Sequence, residues 1–401
     1  MNRDRYRWHV VGMLWTISFF NYADRQAIFS VFPLLEKSLH LDSVQLGLLG
    51  SSFALVYGTC SQFAGLIVDR VRRRTAILGG LQAWSLICMA TGFAGSFRAL
   101  LALRAAEGLG ETFYYPASMS LISDYHGPRT RSRAIGIHQT SVYIGTIAGG
   151  FFAALIGQVY GWRWSFFVFG GAGILLGFVL QRFLREPVRE AAERMPVSGF
   201  VKTVWTSPAA ILLMGAFLCA NFVAAVLLSW MPKFVYDRFH MNLAMAGLTA
   251  TLFVQVASMA GAVTGGWLAD LLRQRRPGGR MLVQAVGVFA GAPFVALCGM
   301  SESVPVLIAA LTAWGFCKGL YDANIFASMF DVIRPEARGT AAGFMNTAGW
   351  LGGGATAPFI IGIIARDHGL GAGIAMASVV YLAAGILLLL AAGRARGDSG
   401  A

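Results

Sequence analysis

One phrase in this sequence is used twice, half a chain apart. Gly65-Leu66-Ile67-Val68-Asp69 runs into Arg70, Arg72, Arg73 and Arg74, and Gly266-Trp267-Leu268-Ala269-Asp270 runs into Arg273, Arg275 and Arg276. Each copy closes a long apolar segment. A chain that repeats itself at half-length, with apolar spans in both halves, is expected to fold as two similar membrane-embedded units around a central site.

Hydrophobic residues make up 56% of the chain and charged residues only 13%, against about 25% charged in a soluble domain. There is too little polar surface to face water on all sides. Apolar stretches of about 20 residues recur, each long enough to cross a hydrocarbon core of about 30 Å. The expected class is an all-α, polytopic membrane protein. Its net charge of +13 is then topological and not a nucleic-acid footprint. Of the 32 Lys and Arg residues, 23 fall on one set of alternate loops, while Lys37, Arg98, Arg163, Lys233, Arg238 and Arg366 fall on the other. The positive-inside rule puts the first set, with both termini, in the cytoplasm and requires an even number of crossings. The five cysteines lie in apolar segments without metal or redox spacing and read as small buried side chains. The first apolar run continues through Asn21, Asp24 and Arg25 with no cleavage site, so no signal peptide is expected.

Twelve spans are expected, at roughly 8–35, 44–68, 75–95, 98–123, 134–157 and 163–184, then 208–235, 244–269, 280–300, 304–329, 339–365 and 371–393. This gives an N-terminal six-helix bundle (1–184), a charged cytoplasmic linker (185–207) containing Pro187 and Pro196, and a C-terminal six-helix bundle (208–401). The halves match at Pro33 and Pro232 and at Gly47 and Gly247. In the fourth span of each half, Glu107 and Glu111 stand opposite Lys318 and Asp322. Gly145-x-x-x-Gly149, Gly261-x-x-x-Gly265 and the run Gly352 to Gly354 are expected to be flat strips for close helix packing.

Charge inside a bilayer is costly, so ionisable residues within spans are the functional candidates. Asp24 and Arg25 follow Asn21 and Tyr22 in span one. A guanidinium facing an aqueous cavity binds a carboxylate through two parallel hydrogen bonds; the alternative is a structural ion pair with another helix. Arg104, Glu107 and Glu111 of span four share a helix face by their spacings of three and four. Arg104 is expected to neutralise Glu107 and leave Glu111 as a proton carrier, with Tyr114 in an aromatic cavity wall. Lys318 and Asp322 of span ten form an intrahelical pair, either part of the coupling or structural. His138 and Gln139 of span five are candidates to orient a substrate, His138 alternatively being an interfacial group; Tyr57 and Asn346 stand beside them. The proton-coupling candidates are therefore Asp24, Glu107, Glu111 and Asp322. The substrate-binding candidates are Arg25, Tyr57, Arg104, Tyr114, His138, Gln139, Lys318 and Asn346. The repeated loops have another task. Asp69, Arg70, Arg73 and Arg74, with Asp270 and Arg273, are expected to latch the cytoplasmic helix ends in one conformation and release them in the other.

These residues resemble the major facilitator superfamily. Its loop pattern Gly-x-x-x-Asp-Arg-x-Gly-Arg-Arg is matched by Gly65, Asp69, Arg70, Arg73 and Arg74, with Arg72 where the family usually has glycine. The resemblance covers the whole chain and implies two pseudo-symmetric six-helix bundles working by alternating access. Asn21-Tyr22-x-Asp24-Arg25, Arg104 with Glu111 and Pro116, Gly343-Phe344-Met345-Asn346-Thr347 and Thr356-Ala357-Pro358 resemble the anion:cation symporter group, carriers of sugar acids and other organic anions. That group usually has a polar side chain where Val142 stands. By this resemblance Arg25 binds the substrate carboxylate, Tyr57 lines its site, and Asp24 and Glu111 take up protons. Asn-Tyr-x-Asp-Arg, Gly108-Leu109-Gly110-Glu111, Arg131-Ser132-Arg133 and Arg185-Glu186-Pro187 also resemble Spinster-like lipid transporters.

No His-Glu-x-x-His, Gly-x-Ser-x-Gly, Cys/His metal spacing or phosphate-binding loop is present, so neither an enzyme nor an ATP-driven pump is expected. The expectation is a multi-pass secondary transporter of the bacterial inner membrane, acting as a monomer without cofactor or metal. Its partners are an anionic small molecule, protons (sodium being the alternative coupling ion) and the lipid bilayer, with Spinster-like lysolipid transport as the alternative.

Overall fold

The computed structural model describes residues 3–68, 71–127, 130–186, 205–276, 278–334 and 338–397, and their regular structure is helical. Asp69, Arg70 and most of the linker expected at 185–207 lie outside the described residues. In the first half the helices are α1 (Arg3–Ser30), α2 (Phe32–Leu39), α3 (Ser43–Val68), α4 (Arg73–Thr91), α5 (Phe97–Glu111), α6 (Tyr114–Tyr125), α7 (Arg131–Ala148), α8 (Ala154–Tyr160) and α9 (Trp162–Phe183). In the second they are α10 (Pro208–Phe239), α11 (Leu243–Arg275), α12 (Gly279–Met300), α13 (Val304–Asp322), α14 (Ile325–Val332), α15 (Arg338–Thr347), α16 (Ala357–His368) and α17 (Leu370–Gly397). Taken in chain order, these described helices fall into one group, here called a rod, over each expected span.

Among the described residues, nine helical segments are long and apolar enough to cross a membrane. The rods outside that set are the first, third and fourth. They carry Asp24 and Arg25, Arg73 and Arg74, and Arg104, Glu107 and Glu111, so the charges of the candidate sites are what lower their hydropathy.

Several rods are broken where continuous spans were expected, and the breaks are duplicated. The fourth rod turns at Thr112 and Phe113, just ahead of Pro116, whose ring cannot continue a helix without losing a hydrogen bond. The tenth turns at Ala323 and Asn324, where the Asn324 amide donates to the carbonyls of Leu320 and Gly265, both at 3.0 Å. Rods five and eleven each contain a π-turn, Gly149–Ala153 and Ala348–Gly354. His40 and His240 end rods one and seven in the left-handed conformation, at φ of 51° and 52°. Gly161 and Gly369 follow rods five and eleven at φ of 93° and 84°, a region that disfavours a side chain. The repeat seen in the sequence is thus also a repeat of backbone irregularities.

The rods carry their own start signals. Asp42 and Gln45 open α3 with reciprocal bonds, Gln45 N to Asp42 Oδ1 at 2.7 Å and Asp42 N to Gln45 Oε1 at 3.0 Å. Ser96, Ser207 and Asn242 cap α5, α10 and α11 through side-chain oxygens. Glycine then lets the rods close on one another in an apolar solvent. A Cβ on Gly149 would come within 2.2 Å of the Ala23 carbonyl, so span five lies directly against the turn of α1 that presents Asp24 and Arg25. Phe93, Leu175, Val263, Trp267 and Val286 point outward, as lipid-facing positions should.

Candidate functional site

Three elements bring the charged residues together: α1 supplies Asp24 and Arg25, α4 supplies Cys88, and α5 supplies Arg104, Glu107 and Glu111. All are buried, with Arg104, Glu107 and Glu111 at 1% exposure and Arg25 at 8%. The carboxylates of Asp24, Glu107 and Glu111 lie within 4.8 Å of one another. Arg104 bonds Glu107, three residues along the same helix, and Arg25 Nε bonds Glu111 across two helices. The ion pairs among the described residues leave Asp24 without a guanidinium; its Oδ1 accepts from Cys88 Sγ at 2.9 Å. The expected Arg104–Glu107 pair is present, Glu111, expected to carry a proton, is met by Arg25, and the acid that the described ion pairs leave without a cation is Asp24. Three carboxylates against two guanidiniums leave one negative charge in a region where burying it unpaired is costly. A single proton on the trio neutralises the cluster.

Arg25 is held among aromatic faces. Its Cζ lies 4.5 Å from the ring centre of Tyr57, 4.9 Å from Tyr22, 5.0 Å from Phe53 and 5.4 Å from Trp350. Such faces stabilise a cation while leaving its edges free. Arg25 Nη1, Glu107 Oε1, Glu111 Oε1 and Asn21 Nδ2 are buried without a protein hydrogen bond. The guanidinium therefore has one edge on Glu111 and further donor capacity that a second carboxylate satisfies.

The other candidates fall elsewhere. Tyr114 Oη donates to the Leu14 carbonyl at 2.6 Å and meets His138 Nε2 at 3.0 Å. With 2% and 0% exposure, Tyr114 and His138 seal spans one, four and five together. Gln139 and Asn346 are half-buried. Lys318 bonds Asp322 on its own helix, and both lie within electrostatic reach of Tyr143 from span five.

Near the basic loops, each half has a charge cluster. Arg73, opening the third rod, pairs with Asp124, and its backbone N–H donates to Glu186 Oε1 at 2.8 Å. Arg74 bonds the Gln181 carbonyl. In the second half Arg280 opens the corresponding rod, donating to Asp270 Oδ1 at 2.7 Å and to Asp331 at 3.3 Å; Arg273 lies 2.9 Å from Asp331. Arg273, Arg280 and Asp331 border a surface concavity of about 490 Å³.

Phe53, Trp350, Cys88, Asp124, Arg280 and Asp331 are not among the residues that the sequence singles out. Helical spacing held a signal for the first two: Phe53 precedes Tyr57 by four residues and Trp350 follows Asn346 by four, so each shares its neighbour's face. In the structure Arg280 and Asp331 pair as Arg73 and Asp124 do, a likeness that the sequence does not mark. Nothing marked Cys88 among apolar neighbours.

Among the described residues, apolar helical rods thus surround a buried ionic cluster. The match to the Major Facilitator Superfamily spans residues 14–357, and the chain belongs to that family. It is similar to the hexuronate transporter of Bacillus subtilis (strain 168), 24% identical over 378 residues covering 90% of this chain and 88% of the relative. It is also similar to protein spinster of Drosophila melanogaster, 25% identical over 381 residues, 90% of this chain and 62% of the relative. Among solved structures, a bacterial homologue of the human lysosomal transporter Spinster, inward-facing and unoccupied, superposes with a TM-score of 0.81 at 22% identity, over 98% of this chain and 97% of the other. The protein is therefore a multi-pass membrane transporter and not an enzyme.

Proposed function

We propose that the protein is a proton-coupled symporter of a small organic anion, a sugar acid or related carboxylate. The observation that carries this reading is the Arg25–Glu111 pair beside Asp24. A substrate carboxylate that takes Arg25 displaces Glu111. A buried carboxylate left without its cation takes up a proton. Binding then consumes protons, and affinity rises as pH falls. Asp24, against the Cys88 thiol and near Glu107, holds the proton that balances the resting cluster. Tyr57 and the other rings line the approach to Arg25, Gln139 and Asn346 contact the substrate body, and Lys318 with Asp322 extends the coupling into the second half. The similarity to a hexuronate transporter supports the anionic substrate.

In this reading the bundles are 1–184 and 208–401, the basic loops and both termini face the cytoplasm of a bacterium, and a monomer is the working unit. The structure then corresponds to a state closed on the far side. Proteoliposomes with an imposed proton gradient test the proposal: D-glucuronate is expected to accumulate in an acid-driven manner, and uptake indifferent to the gradient would refute the coupling. Sodium replacing protons would appear as dependence on a sodium gradient. Spinster-like lysolipid transport is the second reading, favoured by similarity over nearly the whole chain to the Spinster homologue. A thermal-shift panel of sugar acids and lysolipids separates the two.

A further inference from the structure

Arg25 is otherwise an object of the first half, with Glu111 as its ionic partner and Tyr22, Phe53 and Tyr57 as three of its rings. Trp350 is the second-half member of that cage. Its ring centre lies 5.4 Å from Arg25 Cζ and 4.8 Å from the Tyr57 ring. The backbone under it is the π-turn Ala348–Gly354, where Ala355 N donates to the Trp350 carbonyl at 2.7 Å across a five-residue step. A π-turn holds one residue more than the α-helix around it. Conversion to α rotates one side of the helix against the other by about 100° per residue. The turn is pressed on α10: a Cβ on Gly349 would come within 2.4 Å of the Phe217 ring, and one on Gly353 within 2.6 Å of the Leu218 carbonyl. Further along α10 stands Lys233, which pairs with Glu36 of the first half.

We propose that Trp350 is the residue through which the second half senses the occupancy of Arg25. A carboxylate arriving at the guanidinium changes what the indole rests on. The π-turn carries that change into α10 and so to the contact between halves at the far end. Trp350 is thus a positioning residue that acts on the conformational step more than on binding. This rests on the reading that Arg25 binds the substrate carboxylate.

The test uses the full-length chain in proteoliposomes with D-glucuronate as probe. It adds a ligand-free readout, nitroxide labels on Arg131→Cys and Gln274→Cys, exposed positions at the basic ends of spans five and eight. Trp350→Ala is expected to lower counterflow kcat about tenfold with KM changed less than about threefold, and Trp350→Phe to recover most of the loss. Trp350→Ala is also expected to shift the ligand-free distance distribution between the labels. An affinity loss matching the turnover loss, or an unchanged distance distribution, overturns the inference. Failure of the wild type to exchange D-glucuronate sinks the sugar-acid reading, and the label distances then decide Trp350. Undiminished affinity in Arg25→Ala sinks the carboxylate reading, and the inference about Trp350 goes with it.

Discussion

The two ends of this molecule hold their charges differently. At the end away from the basic loops, the bonds cross between halves. Lys233, at 6% exposure, bonds Glu36 of the other half while also reaching Asp237 on its own helix at 2.7 Å. Lys37 donates to Tyr236 Oη at 3.0 Å, Ala244 N to Gln158 Oε1 at 3.2 Å, and Phe359 N to Ser51 Oγ at 3.2 Å. Gly150 and Gly247 meet so closely that a Cβ on Gly247 would lie 2.0 Å from the Gly150 carbonyl. At the basic end, Arg73–Asp124, Arg280–Asp270, Arg280–Asp331 and Arg273–Asp331 each join residues of one half. The far end is therefore fastened between halves, while these basic-end pairs brace each half separately. Under the proposed function, the cross-half bonds of the far end are the ones that a change of conformation would have to break.

The largest expected effect follows from fixing the fastened end permanently. Glu36→Cys with Lys233→Cys, bridged by a short bifunctional thiol reagent, should abolish uptake, and transport that survives verified cross-linking would show that this end need not open. Glu111→Gln comes next: exchange should persist while gradient-driven accumulation falls about tenfold, because a neutral side chain neither competes for Arg25 nor takes a proton. Loss of exchange and accumulation to the same degree would assign Glu111 to binding instead. Weaker is Glu36→Gln, since Glu36 is partly solvated and Lys233 keeps Asp237; about 1 kcal/mol or less is at stake, a several-fold shift toward the state open at that end. Labelling of a cysteine placed at Ser51 from that side measures it. Smallest is Arg280→Ala, whose pairs are within one half; about a twofold change in turnover, without change in proton dependence, is expected from surface pairs of this kind. A lost proton gradient response there would break the distinction between the ends.

Much of this architecture was legible because membrane physics writes in long strokes. Apolar runs, alternating basic loops and the doubled Gly-x-x-x-Asp phrase follow from the bilayer's demands and gave the class and the order of spans. Arg25, Glu107 and Glu111 stood out because charges inside a span need a reason. What stayed hidden was which charge meets which. Arg104 and Glu107 are local and their spacing announced them; Arg25 and Glu111 stand on different helices, and no periodicity reports their meeting. Spacing therefore does not place Arg25 on Glu111, nor does it mark Asp24, bonded by a thiol from α4, as the acid that the described ion pairs leave without a cation. The π-turns and the left-handed His40 and His240 were equally unannounced, since they depend on how rods are pressed together in three dimensions.

The exchange of partners at Arg25 is tested most directly by counting protons when a carboxylate binds. Calorimetry of D-glucuronate binding in buffers of different ionisation enthalpy gives that number for the purified chain. About one proton taken up per carboxylate bound in the wild type, and none in Glu111→Gln, is the predicted result. Binding without proton uptake in the wild type, or the same uptake in the variant, would contradict the account.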